Sequence, residues 1–96
     1  MKTIWKFKLN GPRCEIEMPK GAVVLTAQAQ FEVPVIWAEV DPDAPKVRRR
    51  FISVPTGGTF DSEGAHYIGT FQLALGGLIF HVYTDLVEYP LESREE

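Results

Sequence analysis

Apolar and polar residues alternate with a period of two along most of the chain, which predicts β-strands. The alternation covers seven segments, at residues 3–9, 13–18, 22–30, 35–40, 47–54, 66–75 and 78–84. Between them lie short breaks rich in glycine, proline, asparagine and aspartate. The pattern therefore predicts an all-β, mainly antiparallel fold of about seven strands, a small sandwich or partly open barrel with at most one short helical turn.

The breaks also predict how neighbouring strands connect. Asn10-Gly11-Pro12 is typical of a turn, so the first two strands are expected to form an N-terminal hairpin. The last two strands are expected to form a hairpin closed by the two-residue turn Gly76-Gly77. Pro34 has no N–H to donate and is expected in a turn or on an edge. Helical signals are weak, with at most a short turn near residues 61–65 and another in the C-terminal tail.

Charge divides the 96 residues into two parts. From Asp85 onward the chain has five acids and one arginine, a net charge of −4, which leaves nine bases and eight acids, or +1, for the rest. We therefore expect a single β-rich domain at residues 1–84 and an acidic C-terminal tail at 85–96. The nearly neutral body argues against duplex DNA as a partner, since DNA binders owe much of their affinity to phosphate neutralisation.

Several features predict a cytoplasmic protein. The single cysteine, Cys14, excludes an internal disulfide and fits a reducing compartment. The chain starts without the apolar run of a signal peptide. It also has no stretch near the roughly 20 apolar residues that span a bilayer, so no membrane association is expected. A small sheet protein with open edges is expected to form a homo-oligomer, which covers those edges.

A run of basic residues in the fifth strand predicts a binding site. Alternation places Lys46, Arg48 and Arg50 on one face, with Arg49 opposite, where it must reach solvent or find a partner. Arginine forks beside the backbone N–H groups of a glycine-rich turn would bind an anion. The predicted ligand-binding set is Lys46, Arg48, Arg50, Thr56, Gly57, Gly58 and Trp37. In the alternative interpretation, cross-strand glutamates, Asp41 and Asp43 simply pair with the arginines on a solvated face.

Catalytic and metal signatures are weak, so we expect no enzyme, no cofactor and no metal site. Trp37 is either an aromatic platform at a ligand site or part of the core. Cys14 falls on an inward face, which favours inert burial over nucleophilic chemistry. A second hypothesis is a small phosphodiesterase-like hydrolase that uses His81 with Glu39 or Asp41.

Six segments, taken in their order along the chain, are similar to segments of a known family: Met1 to Lys6, Met18 to Ala22, Trp37 to Pro45, Arg49 to Phe51, Tyr67 to Gln72 and Phe80 to Val82. Together they resemble a family of short, uncharacterised proteins encoded by bacteriophages and prophages, over roughly residues 1–83. The resemblance implies a setting in the cytoplasm of an infected bacterium.

These observations together predict a non-enzymatic phage accessory binding protein that counters host defence. It would sequester an anionic, nucleotide-like small molecule or block a host defence protein. The alternative, besides the hydrolase, is a structural or assembly subunit of the phage particle.

Overall fold

Seven antiparallel strands and one 3-10 turn make up the fold in a computed structural model that describes residues 1–91. The strands are β1 (Thr3–Lys8), β2 (Arg13–Pro19), β3 (Val23–Gln30), β4 (Val33–Val40), β5 (Lys46–Pro55), β6 (His66–Leu73) and β7 (Leu78–Thr84). The 3-10 turn, Ala74–Gly76, joins the last two strands. The predicted all-β fold is confirmed, with two separate sheets rather than a closed barrel.

The two sheets pack around one apolar core. One has the strand order β1-β4-β3 and the other β2-β5-β7-β6. Alternation predicts correctly which side chains of β2 face inward, because Ile16 and Met18 are buried and Cys14 is half-buried. The sheets approach each other most closely at β3 and β6. There a Cβ atom on Gly69 would lie only 2.6 Å from the carbonyl oxygen of Ala27, so only glycine fits.

The predicted N-terminal hairpin is wrong. β1 pairs with β4, and β2 pairs with β5, so the two strands belong to different sheets. The chain crosses from one sheet to the other through Leu9 to Pro12, where Leu9 donates its N–H to the Pro34 carbonyl and Pro12 accepts from Ser53. Alternation shows which face of a strand is buried, and a sandwich offers two sheets that satisfy the same pattern.

Two turn predictions also need correction. β4 begins at Val33, so Pro34 lies within a strand, and that strand is central in its sheet. The sheet tolerates it because the Pro34 carbonyl still accepts the N–H of Leu9, so that only one hydrogen bond is missing at the end of the β1–β4 pairing. The last hairpin exists, but Leu73 pairs with Leu78, so four residues rather than Gly76-Gly77 alone close it.

One connection crosses the face of a sheet. β5 and β6 both run antiparallel to β7, which lies between them, so they are parallel to each other. Residues 56–65, which we call the strap, must therefore pass over β7. Phe60 of the strap packs on Tyr83 of β7 with ring centroids 4.7 Å apart. The strap thus covers part of the outer face of the four-stranded sheet.

Arg49 faces the core, as alternation predicts. Its side chain is only 3% exposed, and its Nη1 donates to the Ala22 carbonyl oxygen at 3.0 Å. Its Nε has no hydrogen-bond partner among residues 1–91. The guanidinium therefore neither reaches solvent nor pairs with a carboxylate of the described chain.

Candidate functional site

An open groove of about 500 Å³ runs along the outer face of the four-stranded sheet, beside the strap. β2, β5 and β7 form its floor, where Ile52 and Tyr83 present apolar surface. The strap forms one wall with residues 61–65. The groove is lined by Arg13, Cys14, Glu15, Arg50, Phe51, Ile52, Asp61, Glu63, Ala65, Tyr83, Thr84 and Asp85.

Both arginines of the groove come from one side of it, and the charged residues of the strap side are acids. Arg13 and Arg50 come from β2 and β5, whereas Asp61 and Glu63 come from the strap, which crosses β7. Counting Glu15 and Asp85 as well, the lining has four acids and two arginines. The groove is therefore suited to a ligand with both an anionic part and hydrogen-bond donors, and poorly suited to a simple anion.

Arg48 and Arg50 share one carboxylate on the outer face, as predicted by the alternative interpretation with cross-strand glutamates. The Nε of Arg50 donates to Glu15 Oε2 at 3.0 Å, and the Nε of Arg48 lies 3.9 Å from Glu15 Oε1. Two positive charges facing one carboxylate leave this cluster with a net charge of +1. Arg50 remains 53% exposed and lines the groove, so its guanidinium is accessible to a ligand.

The segment after β7 supports this cluster. Tyr89 exchanges backbone hydrogen bonds with Arg48, at 2.8 and 2.9 Å, and its ring lies under the guanidinium of Arg50 at 3.9 Å. The Tyr89 hydroxyl donates to Asp85 Oδ2 at 2.6 Å, which raises the pKa of the phenol above its ordinary value. Tyr89 thus attaches the segment after β7 to β5; residues 92–96 of the expected tail lie outside the described chain.

The structure does not bring the glycine-rich turn to the arginines. Thr56 follows the last residue of β5 and lies about 20 Å along the strand from Arg50. Its hydroxyl contacts His81 Nε2 at 2.7 Å, and Thr70 Oγ1 contacts His81 Nδ1 at 3.0 Å. The adjoining Gly57 and Gly58 complete a tight turn, in which Gly58 donates to the Pro55 carbonyl.

The other two predicted ligand-binding residues also lie elsewhere. Trp37 is half-buried on the outer face of the three-stranded sheet, in register with Lys6 and Thr26. Lys46 is exposed at the far end of β5, opposite Pro19. Of the seven residues predicted, only Arg50 lines the groove.

Sequence reasoning missed four other groove residues: Arg13, Asp61, Glu63 and Tyr83. Alternation does place Arg13 and Tyr83 on the outward faces of their strands. The missing information was the strand pairing that sets β2 beside β5 and β5 beside β7.

The geometry around the candidate catalytic residues is that of a structural network. Within residues 1–91, both ring nitrogens of His81 contact threonine hydroxyls, whereas Glu39 lies in the other sheet and Asp41 in the loop that follows its strand. Burial raises the pKa of the Cys14 thiol, which disfavours the reactive thiolate. No group of three or more potential ligands among the described side chains could hold a metal ion.

The structure is that of a small two-sheet β-protein with an open groove of mixed charge. The chain belongs to the family described as a domain of unknown function (DUF7352), whose model matches residues 1–92. No curated protein and no solved structure matches the chain. In the described chain, no helix has the length and apolar character needed to cross a lipid bilayer.

Proposed function

We propose that this protein is a non-enzymatic binding protein, encoded by a bacteriophage or prophage, that sequesters a nucleotide-like signal of host defence in the groove. The observation that carries the proposal is the division of charge across the groove, with Arg13 and Arg50 facing the strap acids Asp61 and Glu63. A nucleotide has the same division, because its phosphate is anionic and its base presents N–H donors.

Each side of the groove supplies a contact of the required kind. Arginine guanidinium groups form paired hydrogen bonds with phosphate oxygens. Carboxylates on the strap accept from exocyclic amino groups, as acids do when they recognise cytosine. Ile52 and Tyr83 offer apolar contact for a base between these ends. A volume of about 500 Å³ lies within the range of small-molecule sites.

The excess of acids makes a specific prediction about selectivity. Because four acids and two arginines line the groove, inorganic phosphate alone should bind weakly. A nucleotide with an amino-bearing base should bind better than one without an amino group, because only the former uses both sides. Sequestration needs binding alone, so the ligand should be released chemically unchanged.

Titration calorimetry of the purified protein against mono- and cyclic nucleotides tests the proposal. Arg13→Gln should weaken binding about 10- to 100-fold by removing a charge-assisted hydrogen bond. Glu63→Gln should reduce the preference for amino-bearing bases. Lys46→Gln is the matched control, since Lys46 is exposed on β5 outside the groove. All three should melt like the wild type.

Two results would contradict the proposal that the groove sequesters a nucleotide. Turnover of a bound nucleotide would show an enzyme instead. A flat response across the panel would exclude small nucleotides and favour the other expected mode of action, direct obstruction of a host defence protein.

A further inference from the structure

The two ends of the sandwich differ sharply in charge. Four loops meet at one end, residues 9–12, 31–34, 55–59 and 73–78, and Glu32 is their single charged side chain. We call this the uncharged end. The opposite end is formed by residues 1–2, 19–22, 41–45, 61–65 and 85–91, which contain six acids and two lysines. Such a separation is not needed to close a β-sandwich, whose turns are ordinarily polar.

Two large apolar side chains project from the uncharged end. Phe31 is 93% exposed and Leu75 is fully exposed, at 103%. Each lies at the tip of a hairpin, and the two tips are joined because the Glu32 carboxylate accepts the N–H of Ala74 at 2.8 Å. The one charged side chain of this end is therefore held by a hydrogen bond between the loops.

The backbone of both tips is held in a conformation that favours glycine. Phe31, Glu32, Ala74 and Leu75 all have φ between 51° and 66°. A left-handed conformation is unfavourable for a residue with a Cβ atom, because the Cβ lies too close to the following carbonyl oxygen. Asparagine or glycine would form these turns more readily, so the apolar residues are unfavourable for the turns themselves.

Cations flank the uncharged end on both sheets. Lys6 donates from Nζ to Gln30 Oε1 at 2.7 Å, directly beside the Phe31 tip. Lys8 is the last residue of β1 and Arg13 the first of β2, and both are exposed. Lys6, Lys8 and Arg13, which we call the cationic collar, thus lie beside the apolar tips.

We infer that the uncharged end docks onto the surface of an anionic lipid bilayer. Phe31 and Leu75 would enter the boundary between headgroups and acyl chains, while Lys6, Lys8 and Arg13 face anionic headgroups. Apolar residues combined with cations are the two signals that hold peripheral proteins on such membranes. The inference shares Arg13 with the proposed groove, but the two apolar tips that it needs, Phe31 and Leu75, lie outside the groove.

Charge favours a bilayer over a second copy of the chain. Two uncharged ends placed face to face would bring two cationic collars together, and like charges across an interface oppose association. Between the sheets, behind the tips, an apolar cavity of about 250 Å³ opens at the same end, with Leu9, Pro34 and Leu73 in its lining. The expectation of no membrane association rested on the lack of a spanning segment, and loops that enter about 5–10 Å need none.

Vesicle flotation with the whole protein tests the inference. Vesicles of phosphatidylcholine mixed with phosphatidylglycerol should bind the wild type about tenfold more tightly than vesicles of phosphatidylcholine alone. Binding should weaken severalfold at high salt, because exposed charges are screened.

Phe31→Asn with Leu75→Asn is the decisive variant, because asparagine tolerates a left-handed backbone and the fold should be retained. We expect it to melt no lower than the wild type, to keep any nucleotide binding and to lose vesicle binding at least about tenfold. The matched control is Leu86→Asn, since Leu86 is 56% exposed with φ 62° but lies at the charged end; it should bind vesicles like the wild type.

Three outcomes would refute the inference. One is failure of the wild type to bind anionic vesicles. Another is vesicle binding that survives in the double asparagine variant. The third is a dimer that the double variant abolishes, which would make a second copy the occupant of this surface.

Discussion

The buried guanidinium of Arg49 gives the sharpest test of the packing. This side chain is 3% exposed, donates one hydrogen bond to the Ala22 carbonyl and has an Nε without a partner among the described residues. Arginine stays protonated in proteins, so the core holds a charge that no described carboxylate neutralises. We expect Arg49→Met, which keeps the length and apolar volume of the side chain, to be neutral or stabilising.

The magnitude follows from two contributions. Loss of the charge-assisted hydrogen bond, which leaves the Ala22 carbonyl without this donor, costs about 1.5–3 kcal/mol. Against this, methionine removes the desolvation penalty of a buried ion, which is several kcal/mol. The balance for Arg49→Met is a change between about zero and 2 kcal/mol in favour of the variant. Arg49→Ala also loses the packing of the side-chain stem and should destabilise by about 2–5 kcal/mol.

Urea unfolding followed by fluorescence measures both changes. The midpoint should shift without a change in slope, and each kcal/mol corresponds to about 4–8 °C in Tm for a domain of this size. Arg50→Met, on the exposed face of the same strand, controls for loss of a positive charge. If Arg49→Met were as unstable as Arg49→Ala, the cation itself would be required, and our account of Arg49 as an uncompensated charge would be refuted.

Three further predictions concern close packing and titration. Gly69→Ala should lower stability by about 3 kcal/mol or more, because the new Cβ would lie 2.6 Å from the backbone of β3. Gly77→Ala, with φ −74° and a new Cβ 3.2 Å from the Ala74 carbonyl oxygen, should cost less in the same melting assay. Cys14 should react more slowly with a thiol reagent than a free cysteine at mildly alkaline pH, since burial raises its pKa; full-speed labelling would contradict this. Because Asp85 raises the pKa of Tyr89, the contribution of this contact is present below the ordinary phenol pKa of about 10 and is lost as the pH rises through the raised value, so Tyr89→Phe should flatten the loss of Tm at alkaline pH.

Much of the fold was predictable because β-strands impose a period of two. The inward set on β2 and the opposite faces of Arg49 and Arg50 follow directly from alternation. Alternation carries no information about which strand lies beside which, and therefore the first two strands were wrongly predicted to form a hairpin. For the same reason the sequence did not predict that the strap crosses the sheet, because that crossing depends on β7 lying between β5 and β6.

The site was harder to predict than the fold because its residues meet only through that topology. Arg50 was identified, but its partner Glu15 lies 35 positions away and is brought near by the pairing of β2 with β5. The acids of the strap face the groove only because the connection crosses the sheet. A cluster of arginines and a glycine-rich turn that are neighbours in sequence lie far apart on an extended strand.

Backbone φ angles show which turns contain residues that suit their conformation and which do not. Five glycines in the described chain adopt positive φ, among them Gly11 and Gly57, so most such turns use the residue that fits them. Five residues other than glycine also adopt positive φ, and four of them occupy the two joined tips of the uncharged end. Local propensity and observed conformation disagree mainly where function overrides stability. An exposed Phe31 and Leu75 on unfavourable backbone are therefore best explained by a surface that these side chains must contact.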